Sequence, residues 1–124
     1  MRVLVVEPEC RPELREIDGS LESMQEIVGG PLQTRYPFED TVVLVHNREG
    51  RSMELPANRG LRDTDGQICD IVSGTFLLCS IPDDSDHFTS LTSEQIERYE
   101  DLFHTPEMFW GMDGRIVCLP LEVD

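Results

Sequence analysis

A chain of 124 residues with 25 acidic side chains against 10 basic ones, every one of the ten an arginine, carries a formal charge of −15. That length suffices for one domain with a real core. The charge repels nucleic acid, whose binding relies on basic groups replacing phosphate counterions, so direct DNA or RNA binding is not expected.

No window approaches the roughly 18 apolar residues needed to cross a bilayer. The opening MRVLVVEPE has too short an apolar run and too early an acid for a secretory leader, which predicts a cytoplasmic protein with no membrane association. Cys10, Cys69, Cys79 and Cys118 lie far apart without a CxxC pair, and three of them sit in apolar runs. They read as buried free thiols; no ligand spacing among them and the three histidines supports a metal site.

Arg2 to Glu7 is a β-branched run closed by Pro8, as expected of a strand buried on both faces. Leu14 to Ile17 alternates as a half-exposed strand does. After the Asp18-Gly19 turn, Ser20 is the N-cap of a helix predicted over Leu21 to Val28, with Leu21, Met24, Ile27 and Val28 on one face. Gly29-Gly30-Pro31 ends that helix, one glycine taking the left-handed C′ position. Leu32 to Tyr36 is polar enough for an edge strand.

Thr41 to His46 (TVVLVH) is the strongest strand signal in the chain. Asn47 to Gly50 reads as a hairpin turn in which Gly50 supplies a positive φ, and Arg51 to Leu55 reads as the returning strand. Pro56 to Gly60 then forms a polar loop that presents Asn58 and Arg59. Leu61 to Gln67 is charged, with a loop tip at Asp65-Gly66. A short turn is expected around Asp70 to Gly74, where Asp70 caps backbone N–H groups and Gly74 marks a bulge or close approach, followed by a core strand from Thr75 to Ser80.

Pro82 to Asp86 is an acidic loop. The capping box Thr92-x-x-Gln95 opens a second helix running to about Phe103, with Ile96, Tyr99, Leu102 and Phe103 inward and Glu94, Glu97, Glu100 and Asp101 outward. From Thr105 a tail carries MFW at 108 to 110, with Trp110 as its expected anchor, and a last strand over Arg115 to Leu119. The pattern predicts an α+β fold, a mainly antiparallel sheet with two helices packed on it, as a single domain over residues 1–124.

There is no P-loop, GxGxxG, GxSxG or HExxH, and no cofactor is implied. His46 or Asp70 as a general base is the enzymatic reading, and neither has a partner that the sequence identifies. Two binding readings carry more. In one, Asp83, Asp84, Asp86, Glu94, Glu97, Glu100 and Asp101 form an acidic surface resembling DNA that engages a host protein. In the other, Asn58, Arg59, Arg62, Asp70 and the backbone near Gly74 hold a small anionic ligand, Arg being suited to bidentate contact with phosphate or carboxylate.

The segments VLVVEPE, REIDGSLESMQEIVGG, YPFEDTVVLVHNREG, ELPANR, DIVSGTFLLC and FTSLTSEQIERY together resemble the domain-of-unknown-function family numbered 3846, over about Val3 to Phe103. The resemblance implies a phage or mobile-element setting and no established activity. It does not extend to the tail from Thr105. A non-enzymatic accessory protein is therefore expected, with exposed strand edges and the MFW tail as surfaces through which two copies could pair.

Overall fold

The computed structural model of the chain describes residues 1–121. Its elements in order are β1 (Arg2–Val6), β2 (Glu13–Glu16), α1 (Leu21–Val28), β3 (Leu32–Arg35), β4 (Val42–Asn47), β5 (Ala57–Arg62), β6 (Ile68–Ser73), β7 (Phe76–Ser80), α2 (Ser93–Leu102), β8 (Glu107–Met112) and β9 (Arg115–Pro120). Five strands form one sheet in the order β2-β1-β7-β4-β3, antiparallel at every pairing, while β5–β6 and β8–β9 are separate hairpins. The fold is α+β, as expected.

The sheet carries continuous apolar runs because both of its faces are covered. Val3, Val5, Val43, Val45, Leu77 and Cys79 lie against Met24 and Val28 of α1. Leu4, Val6, Val42, Leu44, Phe76 and Leu78 point the other way, against Tyr99 and Phe103 at α2 and Leu61 and Val72 of the β5–β6 hairpin. Each fully buried Val, Leu or Phe contributes roughly 1.5–3 kcal/mol, against about 0–1 for an exposed ion pair. This two-sided core, rather than the surface charges, therefore dominates stability.

Local signals set the helix ends. Ser20 caps α1 by accepting from the Ser23 backbone N–H at 3.1 Å, and Gly29 takes the left-handed conformation at its C-terminus. In α2 the Thr92 hydroxyl accepts from the Gln95 backbone N–H while the Gln95 side chain accepts from the Thr92 N–H, a complete capping box. Asp40 then fastens this helix to the sheet, since its carboxylate accepts from Tyr99 Oη and Arg98 Nη1, both at 2.8 Å, and from Gln95 Nε2 at 3.1 Å.

The expected hairpin of Thr41–His46 with Arg51–Leu55 does not form. β4 lies inside the sheet between β3 and β7, and residues 48–54 coil into a compact turn closed by Met53 N–H to Glu49 C=O and Leu55 N–H to Gly50 C=O. Asn47 starts that turn, its side-chain oxygen accepting from the Glu49 N–H at 2.8 Å. Gly50 has no positive φ; an added Cβ there would stand 2.8 Å from the Ser73 carbonyl oxygen, so close approach of β6 is what requires glycine. Residues 57–60, expected as loop, begin β5, and Asp70 to Ser73, expected as a turn, belong to β6.

Two smaller expectations also change. Cys79 is buried as foreseen, but Cys10 and Cys69 are exposed and Cys118 is partly so. Trp110 is 45% exposed and belongs to neither core cluster; Glu107 joins the tail hairpin to Arg62 of β5.

Candidate functional site

Asn58 and Arg59 have no exposed surface. The Asn58 amide donates to the carbonyls of Val6 at 2.8 Å and Gly74 at 2.9 Å, and its oxygen accepts from Arg59 Nη1 at 2.9 Å. The Arg59 guanidinium donates to Phe103 C=O through Nε and Nη2, to Cys10 C=O through Nη2, and to its neighbour Asn58. Burial lowers its pKa from the usual arginine value. The pair joins β5 to β1, to the start of β7 and to the C-terminal end of α2, where a cation also complements the helix dipole. This corrects the sequence reading of an exposed loop: their donors are committed to main-chain carbonyls and to the Asn58 side chain.

Arg62 is likewise engaged. Its Nη2 lies 2.6 Å from Glu107 Oε2, which also accepts from the Cys118 thiol at 2.6 Å, while Glu107 Oε1 accepts from the Gly60 N–H. Burial opposes ionisation of Glu107, but bonds from Arg62, Cys118 and Gly60 overcome it and hold the carboxyl below its usual pKa. The Cys118 thiol is pushed up to about 11 by burial and by that carboxylate, which leaves it a thiol at neutral pH and a weak nucleophile. Gly74 turns the chain from β6 into β7 at φ +83°, with the Leu55 side chain 2.7 Å from where a Cβ would stand.

Two of the five expected ligand residues border clefts: Arg62 lines a hollow with Leu102, Thr105, Glu107 and Cys118, where Glu107 already takes up its charge, and Asp70 lines a second cleft richer in arginine. The Asp70 carboxylate bridges Arg35 of β3 and Arg51 of the 48–54 turn, one oxygen to each, and accepts from the Ile71 N–H at 2.8 Å. Burial raises its pKa, yet the Ile71 bond and Arg35, then Arg51, bring it below the ordinary carboxylate value, so it is charged at neutral pH. This second cleft holds about 270 Å³ and is lined by Gln33 and Arg35 of β3, His46 of β4, Arg48 and Arg51 of the turn, and β6 from Asp70 to Ser73.

The register explains this meeting. Gln33 pairs with His46 and Arg35 with Leu44, so all four side chains stand on the sheet face that the β5–β6 hairpin crosses. His46 is half buried; its Nδ1 is 3.1 Å from the Asn47 carbonyl, which assigns the proton to Nδ1, and Nε2 is buried with no hydrogen-bond partner among the described residues. Burial lowers its pKa, keeping the ring neutral near pH 7. The sequence reading missed Arg35, Arg48 and Arg51 because they come from separate segments and converge only through β3–β4 pairing and the folded-back turn.

The seven acids of the other reading are all exposed. Asp83, Asp84 and Asp86 lie in the loop after β7, and Glu94, Glu97, Glu100 and Asp101 lie on α2. Glu94, Glu97, Arg98 and Asp101 rim a shallow open groove. Asp86 approaches His87 at 3.3 Å and Glu100 approaches His104 at 3.9 Å; among the described residues the other five have no ion-pair partner.

A family model described as Domain of unknown function (DUF3846) matches residues 1–104. The chain belongs to the DUF3846 family. The match covers β1 through α2 and stops short of β8, so both cores and the arginine cleft lie in the family part and the β8–β9 hairpin lies outside it. Neither a curated protein nor a solved structure matches the chain. Among the described residues no helix is long and apolar enough to cross a membrane.

Proposed function

We propose that the protein acts by binding, as a non-enzymatic accessory factor of a phage or mobile element, with an acidic surface that occupies the DNA-binding site of a host protein in the cytoplasm. The observation that supports this reading is the segregation of charge at α2. Residues 83–101 contain seven acids and one arginine, and that arginine, Arg98, reaches back to Asp40, leaving the outward carboxylates uncompensated. Like charges held together on a rigid helix repel one another, and a basic partner surface would relieve that repulsion while steering association.

The test is a pulldown from host lysate with this protein as bait, washed at low and high salt and then with duplex DNA. Expected is a DNA-binding protein retained at low salt and released by either wash. Retention indifferent to both would overturn the reading, as would a retained protein with no affinity for DNA. With Asn58 and Arg59 withdrawn from solvent, a small anion would have to meet its arginines elsewhere in the molecule.

A further inference from the structure

We propose that the cleft between the β3–β4 edge and the β5–β6 hairpin binds a compact phosphate-type dianion, either inorganic phosphate or the phosphate group of a small monoester. Three of the ten arginines, Arg35, Arg48 and Arg51, border it, and Asp70 is the single carboxylate in its lining. With His46 neutral, the lining carries two positive charges beyond Asp70, in a molecule whose formal charge is −15.

A guanidinium offers five N–H donors in a rigid fork. Asp70 occupies Nη2 of Arg35 and Nη2 of Arg51, and among the described residues the Arg48 side chain makes no hydrogen bond or ion pair, its backbone N–H alone being bonded, to Pro31 C=O. Enough donors are therefore left for two-point contact with a second oxyanion. The residual charge of two matches a dianion better than a monocarboxylate. A volume of about 270 Å³ lies just below the ~300–1,000 Å³ of pockets for drug-sized ligands, which suits phosphate with a small body attached.

The surrounding negative field disfavours any anion at long range, but at physiological ionic strength it is screened over about 8 Å. Contact with the three guanidiniums then decides. This site is independent of the acidic face, and loss of one leaves the other standing.

The experiment is calorimetric titration of the full chain with inorganic phosphate, a nucleoside 5′-monophosphate and the corresponding unphosphorylated nucleoside. Saturable binding with a Kd of about 1 mM or tighter is expected for at least one phosphate compound and none for the nucleoside. Tighter binding of the monophosphate would identify a monoester as the ligand, and equal binding would identify the inorganic ion. Arg48→Gln should weaken binding about tenfold, the size of one lost charge-assisted contact, without lowering Tm, because its side chain has no fold partner. Arg115→Gln on β9 makes the same charge change away from the cleft and should leave affinity as it was. Absence of saturable phosphate binding, binding of the nucleoside as tight as its phosphate, or equal losses in the two variants would each overturn the proposal.

Discussion

A guanidinium with no exposed surface has to satisfy its donors inside the protein, and Arg59 does so with main-chain carbonyls of Cys10, Asn58 and Phe103 and with the Asn58 side chain. Removing it leaves those acceptors unmet and a cavity where the largest fully buried side chain stood. Arg59→Ala is therefore expected to lower stability by about 3–5 kcal/mol, a large part of the whole for a domain of this size. Lysine has one ammonium in place of the fork and should recover less than half of the loss. Guanidinium chloride unfolding of both variants checks this; a loss below about 1 kcal/mol for Arg59→Ala would show that Arg59 is not a structural pin.

At the scale of elements, Asp40 decides how firmly α2 sits. Its burial disfavours the charged form, but bonds from Tyr99, Thr41 and Gln95 and the charge of Arg98 more than compensate, so its pKa falls below the ordinary 3.8. Burial, helped by the bond to Asp40, raises the Tyr99 phenol to about 12. A depressed carboxyl pKa contributes stability that is present above 3.8 and is lost as pH falls through the lower folded value. Asp70 and Glu107 act in the same direction. Stability should decline below about pH 4, and Asp40→Asn should be less stable at pH 7 with a shallower acid decline. Unfolding followed between pH 7 and pH 2.5 measures both, and an Asp40→Asn curve parallel to wild type would contradict the assignment.

The elements also show what a sequence can reveal. β1, β4, β7, both helices and their caps are legible because apolar spacing and capping residues act locally. β5, reading ANRGLR, is not: its burial is satisfied by the hydrogen bonds of Asn58 and Arg59, so it lacks the alternation that marks a strand. The returning strand expected at Arg51–Leu55 failed because Asn47 folds the following residues into a turn, and the partners of β4 come from residues far away in the chain. Asp70 was legible as a capping residue, and it does accept from the Ile71 N–H, but its arginines were not, since no local pattern encodes which side chains meet across separate elements.

For the whole molecule, the placement of charge matters more than its total. A net −15 spread evenly would aid solubility and attract any cation weakly. The structure sets an uncompensated carboxylate face on α2 apart from the arginine-lined cleft by the β5–β6 hairpin, and the family match includes both. A partner that recognises the α2 face should respond to where charge is changed.

Glu97→Lys with Asp101→Lys on α2, compared with Glu22→Lys with Glu26→Lys on α1, tests this most directly. Both variants reverse exposed acids at four-residue spacing and shift the formal charge equally, from −15 to −11. The affinity of the captured host partner for each, measured by calorimetry at one fixed salt concentration, should fall at least tenfold for the α2 variant and by less than threefold for the α1 variant. Equal losses would mean that only net charge is recognised, and undiminished binding by the α2 variant would place the interface elsewhere.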